Sequence, residues 1–156
     1  MKTSIDLEFR EDGTVIELVS IALVAEDGRE LYAVNADMDQ HAVRTHPWLG
    51  RNVWPQLPVV KNPRGARGVD RLDLDHPDVH PRRKIRRMAE EFFKATPDLD
   101  LWAYYGAYDH VCMAQLWGPM PALPSYVPMR TNDIAQELAR LGDPPVPAQP
   151  EGEHHP

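Results

Sequence analysis

The sequence predicts an α/β domain in which a mixed sheet is covered by helices. Three observations carry this. Between Thr3 and Val34 three segments of strand periodicity are joined by tight-turn residues. From Pro81 onward helical and strand signals alternate. A chain of 156 residues also matches one compact domain with a substantial core.

The first strand is read over residues 3–10, where Ile5, Leu7 and Phe9 face one way and Asp6 and Glu8 the other. Glu11, Asp12, Gly13 and Thr14 supply hairpin chemistry. Val15 to Val24 is nearly apolar on both faces, as a central strand should be, and Asp27-Gly28 turns into a third strand around Glu30 to Val34. Together these form an antiparallel meander. Residues 37–80 are less regular: Trp48, Val53, Trp54 and Leu57 fit a short helix, while Pro47, Pro55, Pro58 and Pro63 preclude a long one. Asn62 to Gly68 reads as a flexible loop. Beyond Pro81, Ile85, Met88, Ala89, Phe92 and Phe93 recur at helical spacing as far as Lys94. Leu99 to Tyr105 is read as a short buried strand, and Asp109 to Trp117 as a helix that Pro119 ends. A brief strand is placed near Tyr126 to Met129. Thr131 or Asn132 caps a last helix through Ile134, Leu138 and Leu141, stopped by Gly142.

Composition excludes several classes. No apolar run approaches a membrane span, and the acidic N-terminal residues are unlike a signal peptide. A single cysteine, Cys112, precludes an internal disulfide and a cysteine-rich zinc module. A cytoplasmic location is the simplest expectation. The net charge of −7 argues against gripping nucleic acid by bulk electrostatics, but not against holding cations between carboxylates and phosphates.

On a strand, residues two apart share a face, so Asp6 and Glu8 stand side by side. Two such carboxylates repel unless cations neutralise them, and hard ions such as Mg²⁺ or Mn²⁺ prefer oxygen ligands. A solvated strand face is the competing explanation. Asp109 follows a strand that stops at Gly106 and stands in the first turn of the next helix, where the dipole favours acids; a capping role competes there. Phe9 adjoins Glu8 and shares parity with the core residues Ile5 and Leu7. Glu17 lies in an apolar strand and needs a partner, such as a backbone group. His110 could support Asp109.

The stretch from Asp6 to Gly13, together with residues 16–30, 101–111 and 115–124, resembles the DEDD exonuclease superfamily in its DEDDh branch, which includes RNase T. It is most similar to the small actinobacterial, mycobacterial-type 3′–5′ exoribonucleases. The resemblance implies an RNase H-like fold over residues 1–142, a homodimer, and two Mg²⁺ or Mn²⁺ ions roughly 4 Å apart. Asp6 and Glu8 match the first motif and Asp109 the second, so these three would bind the ions and act catalytically on an RNA 3′ end. Phe9, Glu17 and His110 are the candidate substrate contacts. The family's third motif is a histidine followed by an aspartate at His-x-x-x-x-Asp spacing. His154 is the candidate histidine, and its aspartate would fall three residues past Pro156. Residues 143–156 are therefore read as a proline-rich linker into an incomplete third motif, and the 156-residue chain is expected to bind metal weakly and cleave little. A non-catalytic RNA- or protein-binding module on the same fold and a DNA 3′–5′ exonuclease are the alternatives.

Two further features stand outside that site. Arg82, Arg83, Lys84, Arg86 and Arg87 open a helix, where cations oppose the dipole; RNA phosphates, acids of a partner subunit or plain solvation could account for them. His76 and His80, near Asp73, Asp75 and Asp78, have a zinc-like spacing, but Pro77 and Pro81 break the helix that would give it meaning, and a solvated loop is expected. Cys112 is read as a small core residue.

Overall fold

The computed structural model describes residues 1–61 and 69–147. The hairpin-linked strands β1 (Lys2–Glu11), β2 (Ile16–Ala25) and β3 (Glu30–Asn35) form the expected antiparallel meander. Two short helices follow, α1 (Gln40–Thr45) and α2 (Leu49–Asn52), then the small hairpin β4 (Val59–Val60) and β5 (Arg71–Leu72). Strand β6 (Val79–His80) leads into the long helix α3 (Arg82–Lys94). The remainder is β7 (Asp100–Ala103), α4 (Ala107–Ala114), β8 (Asn132–Asp133) and α5 (Ile134–Arg140). The main sheet has the order β6-β3-β2-β1-β7-β8, with β7 and β8 parallel to β1 and to one another, respectively, and β6 parallel to β3. This is the expected RNase H-like mixed sheet flanked by helices. No helix among the described residues is long and apolar enough to cross a membrane.

Two hydrophobic clusters hold the layers together. On one face Ile5, Leu7, Leu18 and Ile21 pack against Ile85, Ala89 and Phe93 of α3 and Cys112 and Met113 of α4. On the other, Val19 and Val34 pack under Val43, Leu49, Trp54 and Leu57 from the α1–α2 segment. A β-bulge makes this division possible. Glu8 opposes Ser20 while Phe9 opposes Leu18, so Val19 is an extra residue on β2. It faces the second core, and Leu18 and Ile21 both face the first.

Several local expectations need correction. The segment before α4 is strand only to Ala103; Tyr105 adopts a left-handed conformation (φ 56°), and the chain turns sharply there. Gly106 suits that turn because a Cβ on it would lie 2.5 Å from the Ala103 Cβ. Helix α4 starts earlier than read, at Ala107, and ends in a 3₁₀ turn over Gln115–Trp117. Residues 126–129 form no strand; the pairing falls at Asn132–Asp133, beside Trp102 and Ala103. The cap of α5 is Asp133, not Thr131 or Asn132, since its carboxylate accepts from the Ala135 and Gln136 amides at 2.8 and 3.2 Å. Helix α1, capped by Asp39, is a helix the periodicity did not reveal. The loop expected at 62–68 and the third motif near His154 lie outside the described residues.

Candidate active site

Asp6 and Glu8 sit on β1 with their side chains turned away from the core that takes Ile5 and Leu7. Asp109 reaches them from the opposite layer. Strand β7 pairs with β1 only as far as Trp102 opposite Ser4. Beyond that point the Leu7 amide finds its acceptor in Asp109, whose Oδ1 lies 2.8 Å away in a buried bond. The turn that lets α4 begin there is held by Asp133, whose Oδ2 accepts from the Gly106 amide at 3.2 Å. A helix from one layer is thereby pinned to the edge of a strand that carries two carboxylates on its other side.

The carboxylates lie close enough to influence one another's ionisation. Burial, then Glu8, then Asp109 push the Asp6 carboxyl up to about 7. Burial and Asp109 raise Glu8 as well. Burial raises Asp109, and the bond from the Leu7 amide partly offsets this. Among the described residues neither the Asp6 nor the Glu8 carboxylate has an ion-pair or hydrogen-bond partner. Half-buried, unneutralised oxygen donors of one sign are costly as they stand and suit hard divalent cations. Among the described residues there is no group of three or more His, Cys, Asp or Glu side chains that could hold a metal ion. Mg²⁺ does not require one: it retains waters and uses one or two carboxylates together with substrate phosphate. The donor set therefore fits an open cation site and not a buried structural one.

The remaining sequence-derived candidates divide. Phe9 packs partly against the core and stacks on Tyr108, with centroids 5.9 Å apart and planes 15° apart. Glu17 is engaged by the protein itself: its Oε2 accepts from Arg10 Nε at 2.9 Å and its Oε1 from the Asp39 amide at 3.2 Å. His110 lies beside Asp109 on α4 with its Nδ1 2.9 Å from the Thr131 hydroxyl, and burial lowers its pKa, favouring the neutral ring. It lines a cavity of about 700 Å³ with Val111, Ala114, Met120 and Arg82. His76 pairs only loosely with Asp78, at 3.7 Å. Burial pushes the Cys112 thiol up to about 12, which leaves it inert inside the core.

Sequence reasoning passed over Tyr108 and Asp133. Tyr108 was detectable as the aromatic immediately preceding a candidate ligand at a helix start. Asp133 carried no signal, because its role depends on β8 lying beside β7.

No family model matches the chain. Two curated proteins of Mycobacterium tuberculosis, from strains CDC 1551 / Oshkosh and ATCC 25618 / H37Rv, are each 40% identical to it over 156 residues. The alignment covers 99% of this chain and 83% of each relative, and both are named 3′–5′ exoribonuclease.

Proposed function

Because the chain belongs to the 3′–5′ exoribonuclease family of these mycobacterial proteins, we propose that it hydrolyses phosphodiester bonds at RNA 3′ ends with the help of two Mg²⁺ or Mn²⁺ ions. The observation that carries the proposal is the meeting of Asp6, Glu8 and Asp109 without any neutralising cation of the protein. Bound there, divalent cations supply a water acidified toward neutral pH and neutralise charge on the phosphate.

The chain's own residues hold and orient. Asp6 and Glu8, two apart on one strand face, would hold the cations. Asp109 spends one oxygen on the Leu7 amide and has the other for the site, which suits contact through water. Phe9 and Tyr108 form an aromatic surface next to Glu8 on which a terminal base can stack, worth about 1–3 kcal/mol. The neutral ring of His110 is a candidate polar contact to substrate. His154, by its place in the sequence motif, is assigned to accept the proton of the attacking water. A homodimer is proposed from the RNase T resemblance, with sedimentation velocity as its check.

The test pairs metal binding with cleavage. Mn²⁺ is titrated into the protein and into Asp6→Asn, and 5′-labelled single-stranded RNA is followed for shortening from its 3′ end, with DNA of the same sequence as competitor. Slow Mn²⁺-dependent shortening, abolished in Asp6→Asn, is the expected result. Equal shortening in excess chelator would remove the metal-dependent mechanism, and preference for the DNA would replace the substrate.

A further inference from the structure

Helix α3 opens with five cations in six residues, Arg82, Arg83, Lys84, Arg86 and Arg87, in a chain whose net charge is −7. Its first turn contains no acid. Positive charge at that end of a helix opposes the dipole, so these side chains make their own helix less stable. One carboxylate answers them locally: Asp37 accepts from the Arg82 backbone amide at 2.9 Å. The Arg82 guanidinium is also engaged, donating to the Gln115 carbonyl at 2.6 Å. Arg83, Lys84, Arg86 and Arg87 are exposed, and none forms an ion pair with a described residue. The nearest acid on the same helix, Glu90, is bonded to Lys94.

The location of this patch relative to the carboxylates gives it meaning. Gln115 immediately follows α4, six residues beyond Asp109, roughly 9 Å along the helix at 1.5 Å per residue. One cavity is lined both by His110, the neighbour of Asp109 on α4, and by Arg82 and Gln115. The cavity thus links the residue next to Asp109 with the start of α3. The first six residues of α3 span roughly 8 Å more, so the patch lies within a few nucleotides' reach of Asp109 along a single strand.

We infer that the exposed cations of the first two turns of α3 bind the phosphates of the RNA strand a few nucleotides upstream of the 3′ end being cleaved. This rests on the proposed exoribonuclease reading for the direction of the strand, and adds a second contact that the carboxylates cannot make. It also answers the charge problem: an acidic protein holds a polyanion through one local reversal of sign.

The test measures binding alone, in excess chelator, so that it does not depend on cleavage. Affinities of the full chain for a 3′-labelled dinucleotide and a twelve-nucleotide single strand are measured between 50 and 200 mM salt, alongside the double variants Arg83→Gln/Arg86→Gln and Arg83→Lys/Arg86→Lys. Each phosphate neutralised on a single strand contributes a slope of about −0.7. The glutamine variant should therefore lose about 1.4 from the salt slope on the long RNA, about a sevenfold smaller loss of affinity across that salt range. Its gain on lengthening the RNA should shrink to match, and the lysine variant should keep both. Unchanged slope and length dependence in the glutamine variant would overturn the inference. So would a glutamine variant that changes only sedimentation, which would assign the patch to an acidic surface of a second copy. Loss of Mn²⁺-dependent shortening in Asp6→Asn reports on the catalytic reading separately, so the two can fail independently.

Discussion

Replacing Asp6 by Asn should stabilise the metal-free protein above neutral pH, the reverse of what most substitutions at a half-buried site do. In the folded state Asp6 retains its proton up to about 7, whereas an ordinary aspartate loses it near 3.8. Between those values the folded chain binds more protons than the unfolded one, so stability falls as pH rises from about 4 to about 7. Above that window the penalty for ionising Asp6 beside Glu8 and Asp109 is fully present. The rise corresponds to about 4 kcal/mol. Asp6 keeps a water-facing edge that screens part of it, leaving about 2 kcal/mol for Asn to recover at pH 8 and about 1 kcal/mol at pH 5, where only the lower part of the window has been crossed. For a chain of this size that is a rise in Tm of about 4–8 °C. The assay is thermal denaturation in excess chelator at both pH values, then with Mn²⁺. The ion should raise the Tm of the parent chain at pH 8, because it favours the ionised carboxylates, and leave Asp6→Asn nearly unmoved. A variant less stable than the parent at pH 8, or a difference that does not vary with pH, would refute the electrostatic account of the site.

Three further outcomes are expected. Asp109→Asn should retain an acceptor for the Leu7 amide and remain close to parental stability, whereas Asp109→Ala should lose about 1–3 kcal/mol in chemical denaturation; both should lose Mn²⁺-dependent cleavage. Tyr108→Ala should remove the partner of Phe9, costing about 0.5–1.5 kcal/mol of stability beyond lost area, and raise the KM for RNA more than it lowers kcat in steady-state kinetics. Glu17→Gln should cost at most about 1 kcal/mol through the loosened Arg10 pair, with an unchanged Mn²⁺ isotherm; a weakened isotherm would move Glu17 into the metal site.

The sequence by itself determined the meander, helix α3, the pairing of Asp6 with Glu8 on one face, and the position of Asp109 at a helix start. Each depends on a local period: side chains alternate on a strand and recur at 3.6 on a helix, so their faces follow from spacing alone. The structure revises the readings that depended on where another element lies. Thr131, Asn132 and Asp133 are all plausible caps by type, and Asp133 takes the role because β8 pairs beside β7 and brings it to the Gly106 amide as well. That Glu17 needs a partner was legible from its apolar strand, but the bulge at Val19, which sets it beside Arg10, was not. The bond that joins Asp109 to β1 spans 102 residues and exists because β7 stops pairing after Trp102. No window of neighbouring residues contains that information. Periodicity specifies which way a side chain points, and only the packed layers decide what it meets there.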